Sequence, residues 1–117
     1  MSGARSYHAG LAAEDAVARL YETNGAQVLE RRWRGTAGEV DLILEQGGTV
    51  VFVEVKQSRD TGTAALHLTD RQAARIYAAA EEFLATRPGG LLTETRIDVA
   101  LVDGQGNITI IENAIAG

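Results

Sequence analysis

The feature that most limits how this chain can fold is a pair of apolar, β-rich runs joined by Gly47-Gly48. Glu39-Val-Asp-Leu-Ile-Leu-Glu-Gln46 precedes the glycines and Thr49-Val-Val-Phe-Val-Glu-Val-Lys56 follows them. β-Branched and aromatic residues on both sides of a glycine pair predict a hairpin with a two-residue turn. Both runs are mostly apolar, so the hairpin is expected inside a sheet with both faces covered. A two-residue turn sets Gln46 opposite Thr49. Counting back places Ile43 opposite Phe52, Asp41 opposite Glu54 and Glu39 opposite Lys56. A four-residue loop keeps this register and a three-residue loop shifts it by one. Side chains alternate along a strand, so Glu39, Asp41, Glu54 and Lys56 are expected on one face.

Two carboxylates opposite each other repel and weaken a sheet. Among apolar neighbours an unpaired charge also costs several kcal/mol. A divalent cation removes both problems, because Mg²⁺ binds through one or two carboxylates plus waters and substrate oxygens. Asp41 and Glu54 are therefore candidate metal ligands. Lys56 is placed to stabilise an attacking hydroxide or a pentacovalent phosphate, which together points to phosphodiester hydrolysis. The plainer alternative pairs Glu54 with Lys56 at a sheet end and leaves Asp41 capping a turn.

Around this hairpin the element order reads αβββαββ. Residues 9–24 form a helix whose apolar stripe is Ala13, Ala16, Val17, Leu20 and Tyr21, with Gly25 as its C-terminal stop. Residues 26–33 read as a strand and residues 34–38 as a loop. Residues 57–67 are small and polar, a second loop. Thr69 and Gln72 fit a capping box. The helix they open runs to about Arg87 on an apolar face of Ala73, Ile76, Tyr77, Ala80, Phe83 and Leu84, and Pro88-Gly89-Gly90 ends it. Thr95–Val102 and Ile108–Glu112 are strands around a turn at 103–107. This order is an α/β domain with a mixed central sheet of four to five strands flanked by helices.

Composition narrows the chemistry. The 117 residues include no cysteine, so thiolate metal sites and disulfides are excluded. His8 and His67 fall in predicted loops with no metal-ligand spacing between them. No phosphate-binding glycine loop is present, and Ser58 and Thr61 have no histidine partner. No run approaches a membrane span, and the first residues lack the apolar core of a secretory signal, so the cytoplasm is the expected location. The net charge is −5, acidic in both halves of the chain. Nucleic-acid binders usually carry a basic field. The local exception is Arg31, Arg32 and Arg34, either a phosphate-binding patch or a solvated strand end. Trp33 and Tyr77 read as core or rim aromatics.

Gly38-Glu39-Val40-Asp41-Leu42-Ile43, followed by Val51-Phe52-Val53-Glu54-Val55-Lys56, resembles the uncharacterised bacterial YraN-like proteins. These are similar to the restriction-endonuclease-like PD-(D/E)xK superfamily and to archaeal Holliday-junction resolvases. Gly10 with Glu14, Trp33-Arg34 (with Arg32 in place of an asparagine), Arg96-Ile97-Asp98-Val99 and Asn113-Ala114-Ile115 extend the likeness over nearly the whole chain. The resemblance implies one restriction-endonuclease-like domain over residues 1–117. It implies Asp41 and Glu54 as ligands of Mg²⁺ or Mn²⁺, Lys56 as the catalytic lysine, and Glu14 reaching the site from the first helix. Without it, Glu14 reads as a solvated helix residue. Glu39 and Gln57 are secondary candidates, with a salt bridge and a solvated strand end as their plain readings. Arg32, Arg34, Arg59 and Arg71 are the candidate nucleic-acid contacts. Two departures reduce positive charge: Lys56-Gln57-Ser58-Arg59 replaces a more basic stretch, and Arg71 replaces a lysine.

Three functions follow from these residues. The first is a Mg²⁺-dependent endonuclease on DNA, including branched or structured DNA, with a homodimer joining two cutting sites as in similar resolvases. The second is a non-catalytic module that binds nucleic acid or protein, which the acidic balance favours. The third is an enzyme whose protein partner supplies the basic surface.

Overall fold

A computed structural model describes residues 3–57 and 68–114, with side chains in the first helix from Gly10 onward. The chain runs α1 (Gly3–Thr23), β1 (Gln27–Arg34), β2 (Glu39–Gln46), β3 (Thr49–Gln57), α2 (Asp70–Leu84), a 3₁₀ turn (Gly90–Leu92), β4 (Thr95–Val102) and β5 (Ile108–Ile111). The expected order αβββαββ holds. The first helix begins earlier than expected, because residues 3–8 carry no apolar stripe to announce it; His8 is helical rather than in a loop. Residues 58–67, with Arg59, Ser58, Thr61 and His67, lie outside the described residues.

Gly47 and Gly48 have φ of 57° and 88°. Two successive positive φ values make the mirror-image turn whose twist matches a hairpin. Gln46 pairs with Thr49 and Ile43 with Phe52, as the count expected. The sheet order is β1-β2-β3-β4-β5, antiparallel except for the parallel β3–β4 pair. The hairpin is thus interior. Val50, Val51, Phe52 and Val53 are fully buried because a helix covers each face of the sheet.

One face packs on α1: Leu42, Leu44, Val51, Val53 and Ala100 meet Val17, Ala18 and Tyr21. The other packs on α2: Ile43, Phe52 and Ile97 meet Ile76, Ala80 and Phe83. Trp33 and Phe52 both meet Phe83 edge to face, with ring centroids 5.5 and 5.9 Å apart. Trp33 is thus the rim aromatic expected, whereas Tyr77 is 39% exposed. The start of α2 and the end of α1 are built from the cues the sequence supplied, whereas α2 stops at Leu84 with Ala85 as its cap, short of the expected Arg87. Thr69 and Gln72 form both bonds of the capping box. Gly25, at φ 93°, carries the amide that bonds Glu22, and Ala26 bonds back to Tyr21, which closes α1. Among the described residues, no helix is long and apolar enough to cross a membrane.

Under α1 lies a buried charge. Asp98 is fully buried and accepts from Tyr21 Oη at 2.7 Å, Arg96 Nε at 2.9 Å and the Asn113 amide at 2.9 Å. These bonds tie α1, β4 and the segment after β5 together. Burial, with Asp98 beside it, pushes the Tyr21 hydroxyl's pKa upward, so the hydroxyl stays protonated as a donor. Tyr21→Phe removes one of these donors and should lower unfolding free energy by about 1–2 kcal/mol. Asp98→Ala should cost about 3 kcal/mol or more, because it leaves the Arg96 charge without its buried partner. Urea unfolding measures both; equal, small effects would show that the network is dispensable.

Candidate functional site

The site sits where the hairpin ladder ends. Regular pairing of β2 with β3 stops at Leu42–Val53, one step short of Asp41 and Glu54. Continued, it would bring the Val55 amide to Val40. That amide instead donates to Asp41 Oδ2 at 2.8 Å. A side-chain carboxylate has taken the place of the next ladder acceptor.

The neighbouring strand explains how Asp41 gets there. Arg31 pairs with Leu42 and Trp33 pairs with Val40. Leu42 belongs to the α1-side core, while Val40 and Trp33 belong to the α2 side. Two steps along a regular strand keep the same face. Both strands therefore change phase at the residues between, Arg32 and Asp41. Arg32 has φ 50°, a left-handed conformation that costs an L-residue roughly 1–2 kcal/mol. The expectation that Glu39, Asp41, Glu54 and Lys56 share one face of a continuous ladder is thereby corrected. Glu39 pairs with Arg34 on β1, the two side chains 3.7 Å apart, and has no ladder partner on β3, where pairing ends at Leu42–Val53.

The kink gathers charge from both sides of the sheet. From α1 comes Glu14, only 8% exposed, which accepts from Arg32 Nε at 2.9 Å. The plain reading of Glu14 as a solvated residue is therefore overturned: the buried stripe of α1 is turned toward Glu14 and Ala18. Burial raises its pKa, the Arg32 bond opposes that, and the charge on Asp41 adds to the rise. From the α2 side come Glu54 and Lys56. Glu54 accepts from Arg75 Nη2 at 2.8 Å, and Lys56 Nζ lies 3.5 Å from Gln72 Oε1. The plain pairing of Glu54 with Lys56 gives way to these two contacts from α2. Burial, and next the Glu54 carboxylate, push Asp41 up to about 6 against the pull of the Val55 amide.

The remaining candidates sit at the margin. Gln57 is exposed, yet its Nε2 would lie 3.8 Å from a methyl group on Gly10, with Arg32 Nη2 at 3.7 Å. Arg34 is largely exposed, and Arg71 is exposed on the first turn of α2. Arg59 lies outside the described residues. Sequence reasoning missed Arg75 and Gln72. The available signal was their spacing of three on α2, beside the stripe of Ile76, Ala79 and Phe83. Gly38 belongs with them, since its φ of 146° and its missing Cβ let the Arg75 stem lie across it.

Among the described residues, no three or more His, Asp or Glu side chains converge as a ready metal cage. What converges is a two-carboxylate pair with a third, Glu14, close enough to be felt.

Fold and site together define an α/β domain with a mixed five-stranded sheet, two covering helices and a carboxylate–lysine cluster at the open end of its central hairpin. A family model for "Uncharacterised protein family UPF0102" matches residues 13–102. Relatives cover nearly the whole chain. A UPF0102 protein of Cereibacter sphaeroides (strain KD131) is 57% identical over 116 residues, covering 99% of each chain. One of Ruegeria pomeroyi is 57% identical over 112 residues, 96% of this chain and 91% of its own. One of Dinoroseobacter shibae is 43% identical over 111 residues, 95% and 83% respectively. The chain belongs to the UPF0102 family, which bears out its likeness to the YraN-like proteins.

Asp41 makes stability depend on pH. Its carboxyl has an ordinary pKa of 3.8 and one of about 6 when folded. The folded state thus favours the protonated form. Its contribution is complete below about pH 4 and is lost as pH rises through 6. Asp41→Asn keeps an acceptor for Val55 and removes the charge. It should stabilise the metal-free protein by about 3 kcal/mol above pH 7, since each tenfold change in proton affinity is worth about 1.4 kcal/mol. The gap should close near pH 4. Thermal unfolding across that range tests this, and a variant that is less stable at pH 7.5 would contradict it.

Proposed function

We propose that this protein is a divalent-metal-dependent endonuclease that hydrolyses DNA phosphodiester bonds, with branched or structured DNA as substrate. The observation that carries the reading is the Asp41–Glu54 pair, brought together half-buried beside Lys56 at a break in the sheet. The restriction-endonuclease-like likeness of the sequence supports the same assignment.

The donor set fits Mg²⁺ or Mn²⁺. Both groups are hard oxygen donors, and Mg²⁺ needs no more than one or two carboxylates when waters and phosphate complete its shell. Asp41 accepts from the Val55 amide through one oxygen and lies against the Glu54 carboxylate. Burial first, and the neighbouring Glu54 charge second, raise the Asp41 pKa, so a cation here would be favoured. A bound cation would supply Lewis acidity and a more acidic water. Asp41 and Glu54 would hold it. Lys56 would stabilise charge developing on the phosphate oxygens. Glu14, with Arg32 bonded to it, would set the field behind Asp41 and is the remaining acid–base candidate.

The acidic chain is less of an obstacle at this place. Glu14, Glu39 and Glu54 are paired here with Arg32, Arg34 and Arg75, and Lys56 follows on β3 with its ammonium near Gln72. A divalent cation would make the cluster positive and suited to phosphate. Arg32, Arg34, Arg59 and Arg71 extend that charge along a strand end and a helix start. A homodimer would bring two such sites to one junction in the cytoplasm, and a protein partner could supply further basic surface.

The second reading is a non-catalytic module that binds nucleic acid or protein through the same fold. It is favoured by the net charge of −5 and by the guanidinium groups already paired with Glu54 and Glu14. Cleavage of linear, flapped and four-way DNA with Mn²⁺ separates the two. Lys56→Ala should lower the rate at least about 100-fold, and Asp41→Ala should abolish it. Cleavage that survives Lys56→Ala would mark a contaminant. Absent cleavage together with absent Mn²⁺ uptake by calorimetry would leave the binding module.

A further inference from the structure

Arg75 has no part in the chemistry assigned above, yet its surroundings are shaped to hold it. Its stem crosses Gly38, where a Cβ would come within 2.7 Å of Arg75 Cγ and Cδ. The glycine is thus needed twice, for its backbone conformation and for that space. Arg75 Nη2 donates to Glu54 Oε2 at 2.8 Å. Its Nε is buried and has no hydrogen-bond partner among the described residues. A guanidinium offers its N–H groups as a fork that matches two oxygens of a carboxylate or phosphate. Against Glu54 one tine is used and the other is sealed from water without a partner. The carboxylate is a poor match for a fork held at this angle.

We propose that Arg75 is a phosphate-binding residue of the site, held on Glu54 until a divalent cation takes that carboxylate. The inference rests on the metal-nuclease reading and adds a residue to it. An arginine does not give up its proton in a protein, so its ion pair ends by exchange for another cation. A metal ion on Glu54 is that exchange. Gly38 keeps the stem in place, so the released guanidinium stays on the α2 side with Glu54 and Lys56. There its fork can take two oxygens of the bound strand. The same ion pair explains how the metal-free protein tolerates Glu54 beside Asp41.

The test measures Mn²⁺ uptake by calorimetry and binding of a fluorescent four-way DNA junction by anisotropy, with and without Ca²⁺. Arg75→Met keeps the stem over Gly38 and removes the charge; Arg75→Lys keeps the charge and removes the fork. Arg87→Ala, remote on the chain and paired with Glu45, controls for net charge. Arg75→Met should bind Mn²⁺ about fivefold more tightly, while Arg87→Ala matches wild type. Ca²⁺ should strengthen junction binding by wild type about tenfold more than by Arg75→Met, and Arg75→Lys should recover only part of the difference. Equal Mn²⁺ affinity in Arg75→Met, equal tightening in Arg87→Ala, or full recovery by lysine would overturn the proposal. Wild type that takes up no cation would overturn the metal reading and this one together. Cation uptake without the Arg75 effects would overturn this one alone.

Discussion

The hydrogen bond from the Val55 amide to the Asp41 carboxylate is the contact on which the rest of the site depends. It sits where two buried strands part. A backbone amide inside a sheet has to be satisfied, and the ordinary acceptor is a carbonyl on the neighbouring strand. Here the side chain of the same neighbouring strand does that work. The exchange releases β2 from strict pairing after Leu42 and lets Val40 turn to the opposite core. Arg32, next to Asp41 across β1, makes the matching change by entering the left-handed region. The strain is local, and the two well-packed helix layers on either side hold it in place.

This kink resolves a conflict that a flat ladder could not. Charged residues on a sheet face between apolar layers would be buried without enough partners. At the parting strands they meet cations from two different elements, Arg32 beside α1 and Arg75 from α2. Four carboxylates and four cations therefore share one end of the sheet in a chain whose overall charge is −5. Charge balance at this scale is independent of the isoelectric point. The opposite arrangement holds the fold together elsewhere: Asp98 is sealed under α1 with four donor groups from three residues and no opening to solvent. The two acidic centres differ in compensation, which is saturated at Asp98 and deficient at Asp41.

Much of this was legible residue by residue. The glycine pair and the run of β-branched residues specified the hairpin and its register as far as Leu42–Val53, because turn geometry and burial both penalise a slip of one residue. Thr69 and Gln72 announced their helix through local hydrogen bonds. The phase change at Arg32 and Asp41 was illegible, since alternation counts assume a regular strand and arginine is not among the usual residues of positive φ. Arg75 escaped because its importance depends on Gly38 lying beneath it, a contact between residues far apart in the chain.

The sequence by itself determined the order of elements, the interior place of the hairpin and the identity of the carboxylates and lysine at its end. Those properties follow from local propensity, turn chemistry and the burial of apolar runs, all of which act over a few residues. Tertiary structure decided how the charges meet. Helix α1 buries Glu14, helix α2 brings Arg75 and Gln72, and the parted strands let Asp41 bond Val55 beside Glu54. Each of these contacts joins segments distant in sequence, and its geometry exists only once both helix layers have closed on the sheet.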